Sequence, residues 1–285
     1  MKATIAAAVL VLLVSVAVAE DPSLHGGNML SCETYSFREL IRAGKLDMLA
    51  VPEFYKELGI KGISYNDLFF KSLDDDYVDQ IKAAVKQANR VVTCFIIEGN
   101  LALADENLRK KQIEIDKQKL RVAHRLGAPL VRINVGSTGK QENADDTLGL
   151  ERVVAAFKEI LPTAKELGIR VSIENHGGVS RKADNVVKII QATDPKWVGA
   201  LVDFGNFPPD VRYEEIPKVA PYAFSTHIKV GGFDANGEAT GVDIPRIFAM
   251  LKKHNYKGPL SIEYEARGDP VEGVKKTRAL ILKYW

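Results

Sequence analysis

Residues 166–178 read ELGIRVSIENHGG, and this stretch decides the fold. It holds the last turn of a helical pattern, then Gly168 in the place of a left-handed helix cap, then an apolar run that ends in Glu174 before two glycines. The same junction of helix, glycine and strand recurs at Leu58-Gly59-Ile60 and Leu126-Gly127-Ala128. The chain is therefore built from repeated strand-then-helix units, which is typical of a parallel sheet.

The repeated pattern gives eight units. We predict strands at Met29–Phe37, Gly62–Asn66, Val91–Ile97, Pro129–Val135, Arg170–Asn175, Val198–Phe204, Ala223–Lys229 and Pro259–Glu265. We predict helices at Leu49–Leu58, Tyr77–Asn89, Asn107–Leu126, Leu148–Leu167, Ala183–Ala192, Asp243–His254 and Pro270–Tyr284, with a short one at Tyr213–Val219. Eight such units predict a single-domain (β/α)8 TIM barrel of the α/β class. The competing doubly wound sheet usually carries a Gly-rich turn after its first strand, and residues 31–35 (SCETY) contain no glycine.

The N-terminus carries the pattern of a secretory signal peptide. Lys2 precedes an apolar run over residues 5–18, and Ala17-Val18-Ala19 forms a cleavage motif before acidic residues. We therefore expect a signal peptide at 1–19, a short polar lead-in at 20–28 and the barrel domain at 29–285. A membrane anchor is the alternative, but the run is short for a span and is followed by acidic residues. The expected location is periplasmic or secreted, with no stable membrane insertion after cleavage.

The overall charge argues against a nucleic-acid partner. Lys and Arg number 39 against 37 Asp and Glu, so the net charge of +2 provides no basic field. Cys32 and Cys94 lie in strand-like runs and are predicted to be buried free thiols. No segment of the sequence indicates a dedicated interface, so the sequence is compatible with either a monomer or a homo-oligomer.

Each of the last four predicted strands places an ionisable residue just before its turn. These residues are Glu174, Asp203, His227 and Glu263. Barrel active sites lie at the C-terminal ends of the strands, where these side chains would converge. Three carboxylates and one imidazole suit Mn, Mg, Co or Zn, and a cation would relieve the repulsion between the carboxylates. We predict one divalent metal here; the alternative is four unrelated polar residues at solvated strand ends.

Further polar residues share the same mouth. His176 and Lys229 each lie two positions beyond a proposed ligand, so strand alternation directs them to the same lumen as candidate substrate contacts. Arg132 on the fourth strand either touches substrate or forms a buried structural hydrogen bond. The same two interpretations apply to Glu98, Asn100 and Asn134.

The second half of the chain resembles the xylose isomerase-like barrel superfamily, in particular its sugar phosphate isomerase/epimerase branch. The resemblance rests on Ile173-Glu174-Asn175, Val202-Asp203-Phe-Gly-Asn206, Thr226-His227-Ile-Lys229 and Ile262-Glu263. It implies a TIM barrel in which Glu174, Asp203, His227 and Glu263 bind the metal and the two Glu act as acid and base on a small carbohydrate. Many epimerases of the family have a substrate-binding His where this chain has Asn206, and their Arg is absent from residues 228–233. Asn206 thus becomes a candidate substrate contact, and the family's substrates do not carry over.

These residues favour a divalent-metal-dependent sugar isomerase or epimerase that removes the proton α to a carbonyl and passes through an enediolate. Cleavage of 3-keto glycosides by the same enolate chemistry is the close alternative. An alternative of another class is a non-catalytic carbohydrate-binding barrel. A nuclease resembling the family's apurinic endonucleases is disfavoured, because it needs a His-rich three-metal cluster and this chain has five His in all.

Overall fold

The structure, a computed structural model, describes residues 24–25, 27–138 and 147–285. The predicted signal peptide at 1–19 and the first part of the polar lead-in lie outside the described residues. The end of the lead-in contributes a two-residue strand, Leu24–His25, which pairs antiparallel with Asn28 and Met29 at the start of the barrel.

Eight parallel strands form a nearly closed barrel, which confirms the predicted fold. The strands are β1 (Asn28–Glu33), β2 (Gly62–Asn66), β3 (Val91–Ile97), β4 (Leu130–Ile133), β5 (Arg170–Glu174), β6 (Val198–Asp203), β7 (Ala223–His227) and β8 (Leu260–Ile262). Neighbours in sequence pair in order, and β8 returns to pair with β1. A parallel bridge between Ile228 and Ile262 joins the last two strands. The C-terminal ends of the strands therefore surround one mouth.

The helices alternate with these strands and form the outer layer. They are α1 (Arg38–Arg42), α2 (Val51–Glu57), α3 (Asp75–Gln87), α4 (Glu106–Leu126), α5 (Thr147–Glu166), α6 (Ala183–Ala192), α7 (Arg212–Val219), α8 (Ile244–Lys253) and α9 (Pro270–Tyr284). Short 3-10 helices occupy Thr34–Phe37, Asp67–Phe69, Gly178–Arg181 and Ala220–Tyr222, and Gly232–Phe233 pairs with Ala239–Thr240 in a small hairpin. Gly59, Gly127 and Gly168 have φ angles of 67°, 89° and 68°, as the left-handed caps require.

The prediction that the first strand continues to Phe37 is wrong. The strand ends at Glu33, and Thr34–Phe37 turn over the rim as a 3-10 helix. Two contacts stabilise the turn: the Ser36 hydroxyl accepts a hydrogen bond from the Tyr264 backbone N–H at 2.9 Å, and Phe37 packs edge-on against Phe54. Phe37 thus belongs to the apolar core between the strands and the surrounding helices.

The barrel interior is lined by alternate residues of each strand. Two positions before the mouth, the inward residues are Ser31, Ser64, Ile96, Arg132, Ser172, Leu201, Ser225 and Ser261. Five of these are serines, so the layer leaves room for Arg132, whose side chain is buried there. Cys94, Ile96, Leu130 and Leu201 form a small apolar cluster inside the barrel.

The main apolar core lies between the strands and the surrounding helices. Cys32 and Cys94 are buried and free, as predicted. Among the helices of the described ranges, none combines the length and apolar character that crossing a membrane would need.

We expect Leu201→Ala to destabilise the protein by about 2–5 kcal/mol, because it leaves a void inside a packed barrel. Leu201 is fully buried, whereas Leu108 on α4 is 54% exposed and Leu108→Ala should change stability by less than about 0.5 kcal/mol. Chemical denaturation followed by circular dichroism measures both. Equal effects of the two substitutions would contradict the assigned interior.

Candidate functional site

The mouth of the barrel is ringed by one polar residue from every strand, at the strand's last position or the one after it. The eight residues are Glu33, Asn66, Glu98, Asn134, Glu174, Asp203, His227 and Glu263. In a parallel barrel these positions are equivalent, so the side chains converge. The site is therefore a property of the whole ring, and its last four members are the predicted ligands.

The structure brings the four predicted ligands together. One ligand atom from each of Glu174, Asp203, His227 and Glu263 lies within 4.8 Å of the others, and all four residues are buried. His227 Nδ1 lies 3.1 Å from Glu174 Oε1 and 3.4 Å from Glu263 Oε2. Asp203 Oδ1 accepts hydrogen bonds from the backbone of Gly205 and Asn206, which leaves Oδ2 free to face the cluster.

The donor set fits a divalent cation. Asp203 Oδ2 and Glu263 Oε2 are buried and face the cluster, where the Lys229 ammonium contacts them at 3.3 and 2.8 Å. Three hard oxygens and one imidazole nitrogen in a buried pocket suit Mn²⁺, Mg²⁺, Co²⁺ or Zn²⁺. The four side chains could therefore hold such an ion.

The charges of the cluster indicate the same need for a cation. Burial raises the pKa of Asp203 to about 8. Burial also opposes ionisation of Glu174, but the adjacent Arg132 and His227 outweigh it and hold that pKa below its ordinary value. Burial disfavours charged His227, yet the carboxylates of Glu263, Glu33 and Glu174 raise its pKa well above the ordinary range. The positive groups of the protein are thus too few to balance all of these carboxylates.

Glu33 holds the far side of the His227 ring. Its Oε2 lies 3.1 Å from His227 Nε2, and its Oε1 accepts a 2.9 Å hydrogen bond from the Asn66 side chain. Both Glu33 and Asn66 are buried. A carboxylate on one ring nitrogen orients the imidazole and presents the other nitrogen to a metal. Glu33 therefore orients Nδ1 toward the cluster.

Arg132 lies beneath the cluster as a buried counter-charge. Its guanidinium contacts Glu174 Oε2 at 2.5 Å and Glu98 Oε1 at 2.7 Å. Asn134 donates a 2.7 Å hydrogen bond to the other oxygen of Glu98. Arg132 is 2% exposed, so the structure gives it an ion-pairing role and places it in the floor of the mouth.

Lys229 lies above the cluster. Its Nζ is 2.8 Å from Glu263 Oε2 and 3.3 Å from Asp203 Oδ2, and it also contacts Glu265. Asn206 Oδ1 accepts from Lys229 at 3.2 Å, and Asn206 Nδ2 lies 3.3 Å from Glu174 Oε1. Both predicted substrate contacts therefore touch the proposed metal ligands.

A cavity of about 320 Å³ opens above these residues. Its lining includes Glu174, Glu263, Arg132, His176 and Glu33. His176 is exposed and lines this cavity together with Glu174 and Glu263. The cavity gives a small ligand access to two carboxylates of the cluster.

Sequence reasoning missed Glu33 and Asn66. Both occupy the strand-end register that identified the four ligands, at the ends of β1 and β2. The signal was present, because a carboxylate and an amide at equivalent positions of the first two units would have completed the ring. Mouth residues were predicted from the third strand onward, and the first strand was predicted to run on to Phe37, which placed Glu33 in its interior.

A family model described as a xylose isomerase-like TIM barrel matches residues 52–284. Among solved structures, a D-psicose 3-epimerase in the presence of D-fructose superimposes with a TM-score of 0.72 at 15% identity, covering 89% of this chain and 98% of that chain. At that identity the likeness concerns the fold.

Curated relatives match over shorter segments. An inosose dehydratase of Mesomycoplasma hyopneumoniae (strain 7448) is 27% identical over 141 residues, 40% of this chain and 47% of that protein. A C-glycoside deglycosidase alpha subunit of Arthrobacter globiformis is 36% identical over 96 residues, 31% of this chain and 27% of that protein. The chain spans about half the length or less of the curated relatives it matches.

We expect Glu33→Gln to weaken divalent-metal binding by about 10- to 100-fold, because it replaces the carboxyl oxygen that lies 3.1 Å from His227 Nε2 and orients the ring. Titration calorimetry of the metal-free protein with Mn²⁺ measures the change. Glu39→Gln, on the exposed surface of α1, serves as the control and should bind Mn²⁺ as the native protein does. Native affinity in Glu33→Gln would show that His227 needs no such support.

Proposed function

The chain belongs to the xylose isomerase-like TIM barrel family, and we propose that it is a divalent-metal-dependent enzyme that epimerises or isomerises a keto-sugar. The reaction removes the proton on the carbon next to the carbonyl. The observation that carries this proposal is the buried cluster of Glu174, Asp203, His227 and Glu263, two of whose carboxylates also line a ligand-sized cavity. The D-psicose 3-epimerase that shares the fold supports the reaction type.

The four residues would hold the metal. When bound there, a divalent cation supplies Lewis acidity that polarises the substrate carbonyl and lowers the cost of removing the adjacent proton. Asp203, tied down by two backbone N–H groups, and His227, oriented by Glu33, serve mainly as ligands. The rigid ligands leave Glu174 and Glu263 to act on protons.

Glu174 and Glu263 are the proposed acid and base. Arg132 and His227 keep Glu174 ionised, so it can accept a proton from carbon. Burial opposes ionisation of Glu263, but Lys229 and His227 outweigh it and hold its pKa well below the ordinary value, so Glu263 would take a proton from solvent before it delivers one. Removal of the proton by one carboxylate and delivery of a different proton by the other, on the opposite face of the flat intermediate, would invert the carbon centre.

The remaining predicted contacts would orient the sugar. Lys229 and Asn206 lie above the cluster, and His176 lies at the edge of the cavity. Ammonium, amide and imidazole groups can each bind hydroxyl oxygens. Arg132, which is buried, would act on the substrate through Glu174 and Glu98.

A second candidate reaction is β-elimination, and two observations favour it. The curated relatives that match by sequence are named as a dehydratase and a deglycosidase. Lys229 is also a cation beside a proposed base, where it could donate a proton to a leaving oxygen. In a 3-keto glycoside, loss of the C2 proton would form a C1=C2 double bond, and the C1 oxygen would leave with the bonding electrons and take up a proton.

Methyl 3-keto-β-D-glucopyranoside in D₂O tests both reactions with the Mn²⁺-loaded protein. Epimerisation is expected to introduce deuterium next to the ketone, detected by NMR, and Glu174→Gln and Glu263→Gln should each slow it by about 100-fold or more. The surface variant Glu272→Gln is the control. Release of methanol with an ultraviolet-absorbing enone would identify elimination instead. Binding without deuterium exchange or release would leave a non-catalytic carbohydrate-binding barrel.

We also propose that the protein is exported, from the pattern of residues 1–19. In bacterial cells that express the full sequence, intact mass should place the first residue of the periplasmic or secreted protein at Glu20. Ala19→Lys, which disrupts the small-residue motif, should reduce this processing. A cytoplasmic protein that retains residues 1–19 would refute export.

A further inference from the structure

A second cavity, of about 430 Å³, adjoins the first. Its lining comes from the segments after β3, β4 and β5, and it includes Asn100, Asn134, Ser137, Gly177 and Arg181. His176 lines both cavities, so the two meet at this side chain. The second cavity is larger than the one above the cluster, and a single sugar ring over Glu174 and Glu263 would leave it empty.

Hydrogen bonds between the segments fix the shape of this second cavity. The Asn100 side chain donates to Ser137 O at 2.7 Å, and Leu101 N donates to Val135 O at 3.1 Å. The β5 segment joins them where Val179 N donates to Gly136 O at 3.1 Å. Three segments are thus tied to one another, and the cavity is built into the fold.

Gly136 shows how closely the segments approach. Its φ is +73°, and a Cβ at this position would lie 2.2 Å from Asn100 Oδ1. A side chain at residue 136 would therefore push Asn100 away from the wall. Glycine here keeps the Asn100 amide in place.

The polar groups of the cavity suit hydroxyls. The Asn134 amide donates to Glu98 and accepts from Gly136 N at 3.1 Å, and the Asn100 amide donates to Ser137 and accepts from Ala102 N. A side-chain amide has two hydrogens and two lone pairs, so the bonds within the described part of the chain leave each Asn one of each. A hydroxyl both donates and accepts, which matches two fixed amides.

We propose that the substrate is a two-unit keto-glycoside, whose keto ring lies over Glu174 and Glu263 and whose second sugar unit occupies the cavity beside His176. This inference rests on the proposed function for the position of the keto ring. A phosphate would use the donors of the cavity, Arg181 among them, but would leave the acceptor oxygens of the fixed amides facing its own oxygens. The second unit adds binding contacts and leaves the chemistry at the cluster unchanged.

The test compares two probes on the Mn²⁺-loaded protein. One is methyl 3-keto-β-D-glucopyranoside, and the other is 3-keto-cellobiose with the ketone on its non-reducing ring. Calorimetry should give an affinity for the disaccharide at least about tenfold higher, from the added hydrogen bonds. The ratio needs no variant, so it stands whether or not a substitution folds.

Gly177→Leu tests whether this cavity causes the difference. A Cβ at Gly177 meets no atom within 4 Å, and its φ of 166° is extended backbone that any residue adopts. Leucine should fill the space and bring the affinity ratio close to one, whereas Gly177→Ala, the matched control, should keep most of the ratio. An equal affinity for both probes in the native protein would overturn the proposal that a second sugar unit binds in this cavity. A ratio that Gly177→Leu leaves intact would overturn it as well.

The same samples separate this inference from the proposed reaction. Deuterium exchange with an affinity ratio near one would support the reaction and refute the second sugar unit. A tenfold ratio that collapses in Gly177→Leu, without exchange or release, would support the cavity and refute the reaction.

Discussion

A concentration of buried carboxyl groups at the barrel mouth is the constraint on which the rest of the site depends. Glu33, Glu174, Asp203 and Glu263 are buried there, with Glu98 at the edge. A buried carboxylate is costly unless a counter-charge and hydrogen bonds accompany it. Arg132 supplies positive charge from below and Lys229 from above, yet the carboxylates outnumber them. A divalent cation would offset most of this excess, so the charge balance and the ligand geometry lead to the same conclusion.

The strand register makes that concentration of charge geometrically feasible. Each strand ends in a polar residue, and alternation puts the residue two positions earlier on the same inner face. Five of those earlier residues are serines, which leave the lumen wide enough for the Arg132 side chain. A shift of one residue in any strand would turn its mouth residue outward into the apolar core. The polar centre and the serine layer are therefore parts of one packing solution.

The elements with local causes could be predicted from the sequence, and those that depend on distant contacts could not. Gly59, Gly127 and Gly168 mark helix ends, because a left-handed helix cap depends only on the backbone conformation of the glycine itself. The 3-10 turn at Thr34–Phe37 depends on Tyr264, more than 200 residues away. Glu33 was not predicted as a strand end, because the first strand was predicted to continue to Phe37. The second cavity could not be predicted from the sequence, because its shape depends on the hydrogen bond from Val179 N to Gly136 O.

The strand ends and the loops contribute different parts of the site, and this limits what a shared fold can tell about the substrate of this chain. The strand ends carry the carboxylates and the imidazole, so under the proposed function they would determine which carbon of the substrate loses a proton. The segments after β3, β4 and β5 carry Asn100, Ser137 and Gly177, so in the proposed binding mode they would determine what else of the substrate fits. Enzymes that share the barrel can therefore share an enolising centre and still act on different sugars. Asn206 belongs to the loop side of this division although it contacts Glu174, which makes it a point where substrate shape can influence the chemistry.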